Sequence, residues 1–227
     1  MYQARTLVTL GQQNLYLSFR GSSSMAIVAG HERLNSLPCV FHVADLTIRL
    51  GWVPQAALRQ LFLWKKQGRV KGLGKQSWVF ANLVADQYPD WELGIRMIMP
   101  TAVVVGIEVL RRAGWTTQIP YVATVAVSSA QPIHQVERFE VAAQLPQWFE
   151  LMSPGIRRED EDVALAYLAP AWALADLLRR EGWCDCGLGP DDIYWDYVNE
   201  QDQADWAVAC IALGLGVRSM NPDHEVS

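Results

Sequence analysis

Between Pro54 and Phe80 the sequence PQAALRQLFLWKKQGRVKGLGKQSWVF admits few folds. Pro54 suits the first turn of a helix, where its missing N–H would have had no partner. Neither glycine nor proline recurs until Gly68, which supplies a stop signal. Within that span Leu58, Leu61 and Trp64 or Lys65 share one face, and Gln55, Arg59 and Lys66 lie away from it. Gly72 and Gly74 then permit a turn between two short runs, so Val70 to Phe80 reads as a hairpin with Trp78 and Phe80 alternating on one side. Trp64 and Trp78 are expected in the core.

The preceding residues extend the pattern. Ala26–Leu37 predicts a helix stopped by Pro38. His42–Leu50 predicts a second, with Val43, Leu46 and Leu50 at i, i+3, i+7 spacing and Gly51 as its stop. Helix, helix, turn, helix and glycine-turned hairpin is the order of a winged helix-turn-helix, here over residues 25–84. Residues 1–24 read as an N-terminal extension: Leu15, Leu17 and Phe19 alternate as in a strand, Gly11-Gln12-Gln13 is a candidate turn, Gly21–Ser24 is linker-like, and Met25 is a candidate natural start.

Charge separates the chain into halves. Residues 33–82 hold eight Lys/Arg against one acid, Asp45, whereas residues 83–227 hold nine basic and 22 acidic residues. A basic half inside a chain of net charge −5 implies that one part meets a polyanion and the other does something else. In the basic half Gln55, Arg59 and Gln60 are placed to read base edges, since arginine pairs bidentately with guanine and glutamine with adenine. Lys65, Lys66, Arg69, Lys71 and Lys75 are placed to contact phosphates, with Lys71 and Lys75 at the hairpin tip. The expected ligand is double-stranded DNA.

The acidic half, residues 85–227, predicts a separate α/β domain, so the fold class expected for the whole is α+β. Trp91–Pro100 leads into a helix over Thr101–Ala113. Tyr121–Ser128 and Gln135–Val141 alternate as strands, able to pair through a turn at Gln131-Pro132. Glu159–Ala169 and Ala171–Arg180 are expected helices with Pro170 between them, and Asp202–Leu213 is the last.

Several kinds of chemistry find no motif. Cys184-Asp185-Cys186 offers two thiolates, with His134 and His224 distant in sequence, whereas structural zinc takes four ligands. Asp191, Asp192, Asp196, Glu200, Asp202 and Asp205 are interleaved with Tyr194, Trp195, Tyr197 and Trp206, which suits a solvated helical face or an acidic, aromatic protein-binding patch. His31 and His42 have no serine or cysteine partner at recognisable spacing, and no G-x-S-x-G, P-loop or G-x-G-x-x-G occurs. No catalytic residue, metal or cofactor is therefore expected. The longest apolar stretches, around Thr101–Val109 and Trp206–Leu215, are too short to span a bilayer. Four cysteines are no disulfide framework, which points to the cytoplasm.

The segments LRQLFLWKKQGRVKGLGKQSWVFA, PTAVVVGIEVLRRAGW leading into YVATVAV, and AWALADLLRR together resemble the AbiEi-type antitoxins of bacterial type IV toxin–antitoxin systems, over about residues 40–180. The resemblance implies a winged helix that represses the operon's own promoter and a C-terminal domain that counteracts a nucleotidyltransferase-like toxin, the expected protein partner. GIRREDEDVALAYLAPAW departs from the arginine-bearing stretch usual before the ALADLL-type helix. The alternative is a transcription factor whose C-terminal domain senses a small molecule, which an apolar pocket with converging polar groups would favour. A third class is an enzyme with an accessory nucleic-acid module, which carboxylates clustered around a metal would favour.

Overall fold

The computed structural model describes residues 32–74, 77–85, 88–128, 134–158, 165–184, 186–216 and 220, and the chain divides into two units, Met1–Asp90 and Trp91–Ser227. It is a mixed α+β protein with one sheet in each unit. The N-terminal extension, residues 26–31 of the first expected helix, and Lys75 lie outside the described residues. No described helix is long and apolar enough to cross a membrane.

In the first unit a helical turn at 32–35 (α1) precedes β1 (Val40–His42), α2 (Val43–Ile48), α3 (Pro54–Lys66), β2 (Val70–Gly72) and β3 (Val79–Asn82). The strands form an antiparallel sheet in the order β1-β3-β2, with Phe41 opposite Phe80 and Gly72 opposite Phe80 on the other side. The second helix is shorter than its periodicity predicts because Val40–His42 extends into the sheet. His42 caps α2: its Nδ1 accepts from the Ala44 N–H at 3.1 Å, and its own N–H donates to Asp45 Oδ2 at 2.9 Å. Leu34, Leu37, Phe41, Leu46, Ala57, Leu61, Trp64, Val70 and Phe80 form the core.

Asn82 ends β3 fully buried. Its Nδ2 donates to the carbonyl of Leu34 at 2.9 Å and more weakly to that of Leu37 at 3.5 Å, while its Oδ1 accepts from the Val84 N–H at 3.1 Å. The Leu34 carbonyl also accepts from the Leu37 N–H at 3.1 Å, so the Asn82 amide adds a second donor there and reaches the chain that leaves α1.

The second unit is built on a mixed sheet in the order β6-β7-β5-β4-β9-β8. Its elements are α4 (Trp91–Ile98), β4 (Val103–Val105), α5 (Ile107–Arg112), β5 (Ala123–Ser128), β6 (His134–Val136), β7 (Phe139–Gln144), α6 (Pro146–Met152), β8 (Ile156–Arg157), β9 (Ala166–Leu168), α7 (Pro170–Arg180) and α8 (Glu200–Leu213). β4 runs antiparallel to β5 and parallel to β9, with Val104 facing Val125 on one side and Tyr167 on the other. Helix α7 packs against both α5 and α8, and every residue from Ala171 to Leu177 is buried.

Three expectations fail here. Thr101–Ala113 is not one helix: Val103–Val105 is a buried central strand, and the helix starts only after Gly106 turns the chain at φ 74°. Three successive β-branched residues buried on both faces show no period that separates strand from helix. Ala166–Leu168, expected to be helical, is strand β9. Ala169 precedes Pro170 and so is excluded from helical backbone, leaving Pro170 as the first residue of α7 rather than a kink within a longer helix. The second alternating segment does not form a hairpin with β5. Its hairpin is internal, β6 with β7 through Glu137 at φ 53°, and β7 lies parallel to β5.

Gly155 meets the indole of Trp172 so closely that a Cβ there would lie 2.3 Å from the ring, and its carbonyl accepts from the Ala169 N–H at 2.7 Å. The turn after α6 is thereby locked to the start of α7.

Asn82→Leu keeps the volume and removes the amide, which takes one donor from the Leu34 carbonyl, the weak donor from the Leu37 carbonyl and the acceptor from the Val84 N–H. The expected loss is about 2 kcal/mol, read as a lower urea midpoint for the first unit. An unchanged midpoint would show that these bonds add nothing net.

Candidate nucleic-acid interface

Helix α3 exposes a stripe whose composition follows from which residues its core face takes. Ala57, Leu61 and Trp64 are buried at i, i+4, i+7 spacing. Leu58, expected on that face, is instead 44 % exposed. Leu61 and Trp64 are buried as expected, and the first position of the core face is taken by the small Ala57 in place of Leu58. The opposite stripe is then Gln55, Arg59, Phe62 and Lys66 at i, i+4, i+7, i+11, all exposed. Gln60 is half-buried at the edge of the core face, and Lys65 is exposed.

Val53 offers no side-chain cap, and Pro54 at the first position removes one of the N–H groups that would otherwise have no partner. Lys65 and Lys66 in the last turn complement its dipole. Gly68 takes the left-handed conformation at φ 68°, and Arg69 follows, half-buried, with its N–H bonded to the Trp64 carbonyl at 2.9 Å and its own carbonyl to the Leu83 N–H at 2.9 Å. Lys71 is exposed on β2 opposite Ala81. The structure therefore gathers Gln55, Arg59 and Lys66 on one stripe, with Lys65 beside it, and sets Arg69 and Lys71 at the start of the hairpin.

Asp45, the single acid of residues 33–82, is engaged by Arg49 at 3.4 Å. Arg33 lies over the Trp52 ring, 5.6 Å from its centroid. Among the described residues, Arg59, Lys65, Lys66 and Arg69 form no ion pair, so their charge faces solvent uncompensated.

Two aromatic assignments need correction or addition. Trp78, expected in the core beside Phe80, is 51 % exposed and has a left-handed φ of 55°. Its carbonyl accepts from the Val43 N–H at 2.9 Å, and the turn of backbone that makes this bond carries the ring outward. Phe62, which sequence reasoning passed over, is 68 % exposed in the middle of the outward stripe. The available signal was its position three residues beyond Arg59, off the Ala57–Leu61–Trp64 face.

In the second unit the acidic run is largely structural. Asp192 Oδ2 accepts from the Gly189 N–H at 2.7 Å. Asp202 is buried and accepts from the Asn199 N–H at 3.1 Å as part of the α8 cap, and Asp205 accepts from Arg157 Nη2 at 2.9 Å. Asp191, Asp196 and Glu200 remain exposed with Tyr194 and Tyr197, while Trp206 is buried. Asp176, buried on α7, bonds Trp148 Nε1 at 3.1 Å and Arg180 Nη2 at 3.1 Å. Cys184 is exposed with φ 67°, and the buried Cys186 thiol points to the Leu188 carbonyl at 3.8 Å; Asp185 and His224 lie outside the described residues. Among the described residues no group of three or more His, Cys, Asp or Glu is placed to hold a metal ion.

The tightest electrostatic cluster joins α4 to α5. Glu108 accepts from Arg111 Nε and Nη2 at 2.8 and 2.7 Å and from Arg112 Nε at 2.8 Å, while Arg112 Nη2 reaches Glu92 at 2.5 Å. The Arg111 hydrogen bonds hold the Glu108 carboxyl below its ordinary range against the opposing effect of burial, and Arg112 adds to the lowering.

A depressed folded-state pKa stabilises the fold fully above the unfolded value near 4.5, and that stabilisation is lost as pH falls through the folded value. The excess stability of the natural chain over Glu108→Gln should hold at neutral pH and shrink on acidification below about 4.5. Thermal unfolding of both proteins across this range checks it, and a gap that stays constant would remove Glu108 from the acid response.

No protein-family model matches the chain, and no curated protein is significantly similar to it. The functional reading rests on the residues themselves.

Proposed function

We propose that this chain is a DNA-binding autorepressor and an antitoxin of the AbiEi-like kind, acting in the cytoplasm without catalysis. On this reading the first unit is a winged helix that binds its operator, and the second counteracts a nucleotidyltransferase-like toxin. The observation that carries the reading is the sheet order β1-β3-β2 in the first unit, which backs the α2–turn–α3 pair and leaves the Gln55–Arg59–Lys66 stripe open to solvent. Gln55 and Arg59, with Gln60 at the margin, are the base-reading candidates. Lys65, Lys66, Arg69 and Lys71 contact phosphates, joined by Lys75, which lies in sequence between Gly72 and Val79.

The second half of the proposal draws support from charge and from resemblance. Residues 83–227 carry 22 acids against nine bases, so a second phosphate-binding surface there would act against its own field, and a cationic protein partner would be attracted by it. The GIEVLRRAGW and AWALADLLRR segments resemble the antitoxin family and fall on α5 and α7.

Duplex binding by the full chain should weaken with salt. With about five phosphate contacts, log affinity falls against log salt with a slope of roughly −4 to −5. Arg59→Ala should cost about 1–3 kcal/mol on the preferred duplex and little on random duplex, whereas Lys71→Ala weakens both alike. Fluorescence anisotropy on both duplexes measures this, and a flat salt response would falsify the DNA-binding half.

The antitoxin half is tested by growth rescue. The chain and a variant carrying Arg59→Glu and Lys66→Glu are each expressed from a foreign promoter alongside the toxin candidate encoded by the neighbouring gene, which stays under the operon's own promoter. Rescue by both is expected. If only the natural chain rescues, repression is the whole mechanism and the acidic unit has another role.

A further inference from the structure

Phe62 occupies the centre of the outward stripe of α3, 68 % exposed, with Arg59 and Lys66 on the same line and Leu58 and Leu63 on its flanks, themselves 44 % and 47 % exposed. A phenylalanine so placed adds little to the core of its own unit, and its contact with water is a standing cost that burial against an apolar group would recover. The surroundings select the partner. Arg59, Lys65 and Lys66 are exposed on the same helix, Arg69 follows it, and none of the four makes an ion pair among the described residues. A protein covering Phe62 would have to desolvate or neutralise them all. A DNA duplex meets both demands at once: phosphates stand along the walls of the major groove, and its floor carries one apolar group, the 5-methyl of thymine.

Spacing agrees with this. Arg59 and Phe62 are three residues apart, about 4.5 Å along the helix axis, and successive base pairs are about 3.4 Å apart. The two side chains therefore reach base pairs that are one or two steps from each other.

We propose that Phe62 is a specificity-determining residue that packs on the 5-methyl group of a thymine one or two base pairs from the base read by Arg59. The proposal rests on the DNA-binding reading above and adds which base the apolar centre of the helix selects. It requires no covalent step and no change of fold on binding.

The test uses the full chain, a duplex enriched by it from a random-sequence pool, and a twin of that duplex with deoxyuridine in place of every thymine. The twin keeps all phosphates and base-pair hydrogen bonds and lacks only the methyl groups. The natural chain should bind the twin roughly fourfold more weakly for each methyl contacted, the effect of returning one such group to water. Phe62→Ala should bind the thymine duplex about as weakly as the natural chain binds the twin, and should no longer distinguish the two. Phe62→Leu should keep part of the preference. Because the ring is exposed, thermal unfolding of both variants should match that of the natural chain, which separates a binding effect from misfolding. Equal binding of the two duplexes by the natural chain, or a preference that survives in Phe62→Ala, overturns the proposal. So does a Phe62→Ala variant that retains the thymine preference while losing self-association in sedimentation, since the ring would then join two copies of the chain. If no duplex binds at all, the DNA-binding reading falls first and this inference with it.

Discussion

The geometry of the basic unit depends on a buried amide. Asn82 sits at the end of the central strand with no access to water, and every polar atom of its side chain has a protein partner: the carbonyls of Leu34 and Leu37 on one side and the Val84 N–H on the other. Its backbone N–H donates to the Cys39 carbonyl at 2.8 Å, so a single residue ties α1, the entry to β1 and the exit from β3 together. A satisfied polar group in a core contributes uniqueness more than raw stability, because only one arrangement of the three segments completes its bonds. With the sheet and α1 fixed, Trp64 and Leu61 have one place to go, and the direction of the outward stripe of α3 follows.

The two units also differ in how they use charge. In the first, Arg49 pairs with Asp45 and Arg33 lies over Trp52, both off the α3 stripe, and Arg59, Lys65, Lys66 and Arg69 form no ion pair among the described residues. In the second, arginines are drawn into the fold: Arg111 and Arg112 around Glu108, Arg157 with Asp205, Arg180 with Asp176. Asp192 and Asp202 cap helical turns, and Asp191, Asp196 and Glu200 face water. Salt bridges at half-exposed arginines contribute modestly to stability, and among the described residues they engage Arg111, Arg112, Arg157 and Arg180, four of the nine bases of residues 83–227. The chain thereby presents two surfaces of opposite sign from a single composition.

Local punctuation was legible in the sequence, and long-range pairing was not. Pro54, Gly68 and Pro170 mark where helices begin or end because proline and glycine act through their own backbone, and the expected boundaries of α3, α7 and α8 lie within a few residues of those observed. The hairpin of β2 and β3 was readable for the same reason. The valine run Val103–Val105 was misread because its role is set by neighbours distant in the chain, Thr124–Ala126 on one side and Ala166–Tyr167 on the other. The parallel pairing of β5 with β7 is likewise invisible locally, since an alternating strand is compatible with either direction. At the candidate interface the residue types and the burial of Leu61 and Trp64 were legible, and the choice between Ala57 and Leu58 was not. Leu58 outranks Ala57 in hydrophobicity, and only packing against the sheet reveals that the smaller residue faces inward.

The backbone at Trp78 carries a selective consequence. The turn before β3 asks two things of this position: a carbonyl to receive the Val43 N–H, and a left-handed φ of 55°. Every amino acid brings the carbonyl, and glycine adopts the dihedral with least strain, about 1 kcal/mol less than a residue with a Cβ. The demands of the fold alone would therefore be met best by glycine here, the residue that stands at Gly68, where a helix end makes the same demand. The half-exposed indole is surplus to both requirements of the turn.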